Sequence, residues 1–516
     1  MNRFLTLPSF KNASSDIPAG IVVFLVALPL CLGIALASGA PLMSGLISGI
    51  IGGTVLAFFS GSELSVSGPA AGLAVIVLGA IESLGSFEVF LAAVVIAGGM
   101  QIVLGSIRAG VIGEYVPNSV IRGMLAGIGV VIIVKQIPHL LGWDVGADLD
   151  EGLLQSPLMH ATPWDPIIAA FQHVEVGPMF IGLVCLILLI VWDMPFRKKI
   201  SWTKLLPGPL AAVVLGTVMN QLFMVIAPGL AIGIGTSHMV NIPTDTDLVA
   251  MATLPDWNAF GRVDVWIAAI TIAIVASIET LLSVEATDKL DPQKRIADTN
   301  KELRAQGIGN ALSGLVGGLP ITAVIVRSST NVYAGGKTRL SAIVHGILLL
   351  VCVLAIPNVL NMIPLAALAA VLIFVGYKLT SFTVIRSSWG HGIDQFLPFA
   401  VTVLAVVFTD LLTGIGIGLL ASVFWVMKSN HSSAMSTVHE GNLWLIRFNK
   451  DISFVNKSEL KRCLRSIPDG ANVLINGTNA TIIDHDIYDT LSEFEEASKF
   501  RDISLEFQNV LGKRRP

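Results

Sequence analysis

The chain has 516 residues, of which 53% are hydrophobic and only 13% are charged. Soluble domains carry about 25% charged residues, so most of this chain is expected to have lipid as its solvent. The formal net charge of −4 points to no particular partner, and we expect no nucleic-acid partner. The four widely spaced cysteines favour neither a zinc site nor a disulfide framework.

Apolar runs long enough to cross a bilayer recur along the chain, which predicts an all-α polytopic membrane protein. The first of them, Ile21 to Ala37, is expected to be a retained span and not a cleaved signal. Two interrupted apolar segments, 65–82 and 319–333, bring the predicted number of membrane segments to fourteen. The uninterrupted runs lie at about 18–38, 43–60, 86–107, 117–142, 177–193, 207–227, 263–286, 302–318, 339–358, 363–378, 394–411 and 413–428.

The placement of Lys and Arg predicts the orientation of these segments. If the N-terminus is cytoplasmic, the loops 143–163 and 228–261 are external, and neither contains Lys or Arg. We therefore expect a multi-pass protein of the inner (plasma) membrane with both termini in the cytoplasm. The basic residues that fall on the cytoplasmic side are Arg197, Lys198, Lys199, Lys289, Lys294, Arg295, Lys301, Arg304, Lys337, Arg339, Lys378 and Arg386.

The first interrupted segment contains Ser65-Val-Ser-Gly-Pro-Ala-Ala-Gly72. A Pro in the first turn of a helix loses no useful donor, and the residue before it favours an extended backbone. A helix that starts in mid-membrane presents unpaired N–H groups and a partial positive charge, which together attract anions. We therefore expect Pro69, Ala70, Ala71 and Gly72 to line an anion site. The alternative is an ordinary proline kink between packed helices.

The eighth predicted membrane segment, 263–286, contains an acidic residue, Glu279, in its inner half. An intramembrane carboxylate is by default a functional candidate. Glu279 could take up a proton, or it could help to bind Na⁺ together with hydroxyl and carbonyl oxygens. Ser283 lies one helical turn further and shares its face. The alternative is a structural ion pair with Arg327 or with Lys135, although Lys135 is expected to extend toward the membrane surface.

The second interrupted segment, Gly317-Gly-Leu-Pro-Ile-Thr-Ala-Val-Ile-Val-Arg327, repeats the pattern and adds an arginine. An arginine at the membrane centre costs about 2.5–3.5 kcal/mol on insertion scales, so it needs a reason. We interpret Arg327 as a group that attracts an anion behind the helix start; the alternative is a structural pair with a carboxylate. Each interrupted segment stands third in its seven-span half, which fits an inverted repeat.

The composition changes near Asn430, after which the chain becomes polar and charged. Strands are predicted at Leu443–Phe448, Val473–Ile475 and Ile503–Phe507. Amphipathic helices are predicted at Ser458–Ser466 and Ile487–Lys499. We therefore divide the chain into a membrane domain, 1–430, and a small cytoplasmic α/β domain, 437–516. About 75 residues bury only a modest core, so the small domain is expected to lean on the membrane domain or on a second copy.

Several motifs together resemble the SulP anion permease family, also called solute carrier family 26, over nearly the whole chain. They are Pro117-Asn-Ser-Val-Ile-Arg-Gly123, Asn300-Lys-Glu-Leu-Arg-Ala-Gln-Gly-Ile-Gly-Asn310, Gly317-Gly-Leu-Pro320, Val326-Arg-Ser-Ser329 and Ala334-Gly-Gly-Lys-Thr338. The polar tail is similar to a STAS domain.

This resemblance implies a 7+7 inverted repeat in which a core moves against a gate with elevator-type alternating access. The core corresponds to about 18–107 and 263–358, and the gate to about 117–227 and 363–428. It further implies a homodimer, two half-helices with short strands, and bicarbonate, sulfate, chloride or dicarboxylate as substrate.

Carried over by position, the resemblance implies two sets of site residues. The anion site would be lined by Pro69, Ala70, Ala71, Gly72, Ala323, Val324, Ile325 and Arg327, together with Leu30 and Ile34 of the first segment. The coupling ion, Na⁺ or H⁺, would be bound by Glu279, Ser283, Ala323 and Ile325.

Four positions depart from the family pattern. Pro29-Leu30 replaces Pro-Gln, and Pro69-Ala70 replaces Pro-Thr, so polar contacts to the substrate are missing and a small anion is favoured. A Glu-Ser pair, Glu279 and Ser283, replaces Asp-Thr, which makes proton coupling plausible beside Na⁺. In the tail, Asp484-His-Asp486 stands where phosphorylatable versions have Asp-Ser, so a role in dimerisation or as a scaffold is expected.

We therefore predict a secondary active transporter and not an enzyme, because no triad, metal cluster or catalytic carboxylate pair is found. The expected partners are a small inorganic anion, a coupling ion (Na⁺ or H⁺), the lipid bilayer and a second copy of the chain. Bicarbonate is the first candidate for the anion. No cofactor is expected other than Na⁺ as a coupling ion. The alternatives are a sulfate or dicarboxylate symporter, an uncoupled anion channel or exchanger, and a membrane scaffold.

Overall fold

The structure is a computed structural model. It describes residues 12–110, 117–143, 165–194, 207–233, 236, 238–243, 252–390, 392–409, 411–431, 434–453 and 456–510. The chain divides into two compact units, one formed by Met1–Gly390 with Phe399–Leu419 and the other by His391–Pro398 with Leu420–Pro516.

The elements of the first half of the chain are almost all helical. In order they are α1 (Ala13–Ala37), α2 (Leu42–Gly53), α3 (Val55–Phe59), β1 (Ser67–Pro69), α4 (Ala71–Leu84), α5 (Phe87–Ser106), α6 (Asn118–Leu141), α7 (Asp165–Gln172), α8 (Val176–Asp193) and α9 (Gly208–Ile226), with a 3₁₀ turn at Pro228–Leu230.

The second half follows a similar sequence of elements. After a 3₁₀ turn at Trp257–Gly261 come α10 (Val263–Leu290), α11 (Thr299–Leu315), β2 (Ile321–Ala323), α12 (Ile325–Tyr333), α13 (Leu340–Ala355), α14 (Pro357–Leu360), α15 (Leu365–Leu379), α16 (Phe382–Gly390), α17 (Ile393–Phe408) and α18 (Leu411–His431).

Among the described residues, eight helices are long and apolar enough to cross a membrane, and four more apolar helices are shorter. Two predicted segments belong to neither group. Segment 302–318 does not because α11 carries charged and amide side chains along its length, and segment 319–333 does not because its helix α12 has only 9 residues. The count of fourteen segments therefore stays a prediction. The short helices α7 and α16 were not predicted as separate elements. The predicted outer loop 143–163 lies almost entirely outside the described residues, as do Arg197, Lys198 and Lys199.

The polar tail contains a four-stranded sheet. Its elements are β3 (Met435–Glu440), β4 (Leu443–Phe448), α19 (Lys457–Ser466), β5 (Asn472–Asn476), α20 (His485–Ser498) and β6 (Ser504–Gln508). The strand order is β3-β4-β5-β6, with β3 antiparallel to β4 and the other pairs parallel. The three predicted strands and both predicted helices are present. Strand β3 was missed because it is a mostly exposed edge strand whose residues show no apolar alternation.

Helices α5 and α11 pack with their backbones in contact at glycines. A Cβ added to Gly98 would lie 2.6 Å from the carbonyl oxygen of Gly307, and one added to Gly307 would lie 2.6 Å from the carbonyl oxygen of Gly98. Small residues at such a crossing let membrane helices approach closely. This contact sets the distance between α11 and the rest of the helical unit.

A glycine substitution tests this contact. We expect Gly98→Val to lower the thermal unfolding midpoint of the detergent-purified protein, because overpacking costs about 1–3 kcal/mol. Gly99→Val is the matched control, because no atom lies within 4 Å of the Cβ position of Gly99. Equal midpoints for the two variants would contradict the packing described here.

Candidate functional site

Both interrupted segments consist of a short strand followed by a helix. Strands β1 and β2 pair antiparallel, with Ser67 opposite Ala323 and Pro69 opposite Ile321. Helix α4 follows Ala70 and helix α12 follows Val324; both of these N-cap residues are extended and neither has a side-chain cap. Because the strands are antiparallel, the helices leave the ribbon at opposite ends, and the positive ends of both helix dipoles face it.

Some backbone donors at this ribbon are occupied by the protein itself. The N–H of Ala323 donates to Thr280 Oγ1 (3.2 Å), and that of Val324 donates to the carbonyl oxygen of Val66 (3.0 Å). The first helical turns also contain the N–H groups of Ala71, Ile325 and Val326, for which helix geometry supplies no acceptor. Ala71, Val324 and Ile325 are partly exposed, so a ligand can reach the helix starts.

Arg327 is the third residue of α12, in its first turn, and is 0% exposed. Its Nη2 lies 3.4 Å from the carbonyl oxygen of Pro69 and 3.4 Å from Cys31 Sγ, whereas Nε and Nη1 have no hydrogen-bond partner. Its Nη1 occupies the space that a Cβ on Gly68 would need. In the described part of the chain no carboxylate forms an ion pair with it, so the structural pairing that the sequence left open is not seen.

A further titratable group close to Arg327 is His345 of α13. His345 is also 0% exposed, both of its ring nitrogens are without a hydrogen-bond partner, and it lies within electrostatic range of the guanidinium. Sequence reasoning did not single out His345, because its distance from Arg327 in the chain gives no sign of their proximity.

Glu279 of α10 lies against the start of α4. A Cβ on Gly72 would be 2.7 Å from both carboxylate oxygens, so the carboxylate lies directly against the backbone of Gly72. Its Oε2 has no hydrogen-bond partner. No Lys or Arg of the described residues forms an ion pair with it, and Lys135 is exposed. An acidic side chain therefore lies beside one of the helix starts.

The structure brings most of the predicted site residues together. Pro69 to Gly72, Ala323 to Arg327 and Glu279 all belong to the ribbon, the two helix starts or the side chain in contact with them. Helix α1 contacts β1, α4 and α12. Ile34 packs in the same apolar cluster as Leu73 of α4, whereas Leu30 belongs to a different cluster. Ser283 is buried one turn from Glu279.

Oxygen atoms near Glu279 determine which cation this region could bind. Hard cations such as Na⁺ take oxygen ligands, and the unpartnered Oε2 of Glu279 is one such oxygen. Within the described ranges, no group of three or more His, Cys, Asp or Glu side chains could hold a metal ion. The roles of Glu279 and Ser283 toward a coupling ion therefore stay predictions.

Comparisons with known proteins agree on one family. The model of the sulfate permease family matches residues 14–405. The Putative sulfate transporter YvdB of Bacillus subtilis (strain 168) is 30% identical over 427 residues, which is 82% of this chain and 76% of that protein. The transmembrane domain of a cyanobacterium bicarbonate transporter BicA is 26% identical, with a TM-score of 0.66 over 82% of this chain and all of that one.

A third comparison extends over the tail but shows the fold alone. The murine Solute Carrier 26 family member A9 (Slc26a9) anion transporter has a TM-score of 0.76 at 15% identity, covering 98% of this chain and 87% of that one.

The hydrogen bond between Thr280 and Ala323 makes a testable prediction. Thr280→Val keeps the side-chain shape but leaves the buried Ala323 N–H without an acceptor, so we expect a loss of about 1–3 kcal/mol and a lower unfolding midpoint. Thr271→Val on the same helix is the control, since its hydroxyl bonds only to the carbonyl oxygen of Ile267 one turn back. If both variants unfold at the wild-type temperature, Thr280 does not hold β2.

Proposed function

The chain belongs to the sulfate permease family, and from that premise we propose that it is a secondary active transporter of a small inorganic anion, with bicarbonate as the first candidate substrate. The relatives named above are transporters and not enzymes. The observation that carries the proposal is the buried, carboxylate-free guanidinium of Arg327 beside two helix starts.

Charge considerations favour anion binding at this place. A buried cation without a counterion is costly, and its two unpartnered nitrogens add the cost of unmade hydrogen bonds. A bound anion near the ribbon would offset the charge and could accept the free N–H groups of the helix starts. Arg327 is the only arginine or lysine among the predicted site residues, which favours a monovalent anion over sulfate.

Glu279 suggests how transport could be coupled to a cation. Its carboxylate lies against Gly72 in the first turn of α4, next to the donors that the substrate would use. An ionised Glu279 would therefore compete with a bound anion by repulsion. Protonation of Glu279, or Na⁺ bound at it, would remove the competition, so we propose that anion and cation enter together.

The proposed architecture is the fourteen-segment inverted repeat with elevator-type movement of the core against the gate. The contacts within the helical unit support it. The contact of α1 with α13 corresponds to the contact of α10 with α5 in the other half of the chain. In the same way, the contact of α1 with α12 corresponds to the contact of α10 with α4. Exchanging the two halves of the chain turns each contact into its counterpart. A homodimer is proposed as well, with the STAS-like tail serving dimerisation or scaffolding.

We propose that the protein lies in the inner membrane with both termini on the cytoplasmic side. Arg295 Nη1 donates to the carbonyl oxygen of Lys337 (3.0 Å), and Asp16 of α1 accepts the N–H of Lys337 (2.7 Å). The start of α1 and two basic loops therefore meet at one end of the helical unit. Basic residues mark the cytoplasmic side of membrane proteins.

The substrate is tested with purified protein in proteoliposomes. Labelled bicarbonate, sulfate and fumarate are offered separately, each with an imposed Na⁺ or H⁺ gradient. We expect bicarbonate to accumulate with one of the two gradients. If none of the three anions moves under any gradient, the transport proposal fails.

Arg327 is tested by its effect on anion affinity. We expect Arg327→Gln to raise the apparent KM for the transported anion roughly 10- to 100-fold, because hydrogen bonds to a charged group are worth about 1.5–3 kcal/mol. Arg327→Lys keeps the charge and should retain part of the affinity. A wild-type KM in Arg327→Gln would show that the arginine has a structural role and does not bind the anion.

Glu279 is tested by separating exchange from coupled uptake. Glu279→Gln removes the titratable group, so we expect anion exchange between the two sides to continue while gradient-driven accumulation is lost. Glu285→Gln is the control, because Glu285 lies on the same helix but is exposed and paired with Lys289 (2.6 Å). Accumulation at the wild-type level in Glu279→Gln would indicate coupling elsewhere or an uncoupled pathway.

A further inference from the structure

We propose that Gln306 and Asn310 of α11 are positioning residues that hold both strands of the ribbon in the geometry needed for anion binding. The proposal rests on the function proposed above, because it takes the ribbon and its two helices as the anion site. Neither residue touches the helix starts, so each would act through the strand that it holds.

Asn310 binds β2 as a neighbouring strand would. Its side-chain Oδ1 accepts the N–H of Ile321 (2.5 Å), and its Nδ2 donates to the carbonyl oxygen of the same residue (3.1 Å). Nδ2 also donates to Gln101 Oε1 (2.6 Å), and Gln101 donates in turn to Ser277 Oγ (3.2 Å). Asn310 therefore ties the first residue of β2 to α5 and α10 as well as to α11.

Gln306 lies one helical turn before Asn310 and reaches the other strand. Its Nε2 donates to Ser67 Oγ in β1 (2.9 Å) and to Glu302 Oε1 (2.9 Å). Glu302, one turn earlier again, accepts Ser60 Oγ (2.6 Å) and the N–H of Gly61 (2.7 Å) with its other oxygen. The three side chains share one face of α11 at a spacing of four residues, and all are 0% exposed.

The first half of the chain supports the ribbon differently. Helix α2 approaches β1 at Gly52, where an added Cβ would lie 2.5 Å from the carbonyl oxygen of Ser67. This contact brings the backbone close but makes no side-chain hydrogen bond. Within the described residues, α11 is the helix whose side chains form hydrogen bonds with both strands. A movement of β1 relative to α11 would change the distance between the start of α4 and Arg327, which reaches the carbonyl oxygen of Pro69.

The structure offers a matched control at Asn220 of α9. Asn220 is also 0% exposed, its Oδ1 accepts the N–H of Ile232 (2.8 Å), and its Nδ2 donates to the carbonyl oxygen of Ile232 (3.1 Å). Asn220 therefore makes the same two hydrogen bonds to the backbone of an isoleucine, but Ile232 belongs to neither β1 nor β2. A change at Asn220 reports the loss of stability when these two bonds are broken, without moving the ribbon.

The experiment compares Asn310→Asp with Asn220→Asp in proteoliposome uptake. Each aspartate keeps the acceptor for the isoleucine N–H but loses the donor, and it places an oxygen against the isoleucine carbonyl. We expect Asn310→Asp to raise the apparent KM for bicarbonate about tenfold, because the buried carbonyl oxygen of Ile321 loses its hydrogen-bond donor. Asn220→Asp should keep the wild-type KM while showing a comparable fall in unfolding midpoint. A KM within twofold of wild type in folded Asn310→Asp overturns the proposal.

A second pair of variants keeps the test decisive if Asn310→Asp does not fold. Gln306→Met and Ser67→Ala remove the two ends of one hydrogen bond. We expect each to raise the KM, with the double variant no worse than the stronger single one, because both break the same contact. Unchanged KM values in all three overturn the proposal. A wild-type protein that moves no anion is a different outcome, since it refutes the proposed function itself.

Discussion

The structure depends on one constraint, namely that backbone interrupted inside a membrane must find its hydrogen bonds within the protein. The breaks before α4 and α12 create two sets of unpaired groups. Pairing β1 with β2 satisfies part of them, and side chains of the neighbouring helices satisfy others. The groups that stay unpaired lie at the partly exposed helix starts, where a ligand can reach them. The same constraint therefore accounts for the ribbon and for the proposed binding site.

Two neighbouring residues of α10 connect the two broken segments. Glu279 lies against Gly72 in the first turn of α4, and Thr280 accepts the N–H of Ala323 in β2. A displacement of α10 would thus affect both helix starts at once. This arrangement gives the predicted coupling residue a physical connection to the proposed anion site, because the acid lies beside one of the two helix starts. Arg327 supplies the opposite charge without pairing with that acid.

The polar side chains of α11 show what the sequence analysis overlooked. In the sequence, residues 302, 306 and 310 belong to the motif that resembles the sulfate permease family. Their spacing of four residues predicts a shared helix face, and such a buried face of acid and amide groups requires partners. The spacing could have indicated a structural role, but not its targets. Gln306 donates to Ser67, which is 239 residues away in the sequence, and a local sequence pattern cannot predict a contact between residues so far apart.

The sequence by itself determined the helical membrane class, the family, the two breaks at Pro69 and Pro320, and the strands and helices of the tail except β3. These features follow from local properties: apolar runs, proline geometry and strand alternation act within a few residues. Only the tertiary structure decided that Arg327 lies beside Cys31 and Pro69 and not against Glu279, that Glu279 contacts Gly72, and which amides remain unpaired. These outcomes depend on how distant helices pack, and packing is set by the shapes of all the side chains at once.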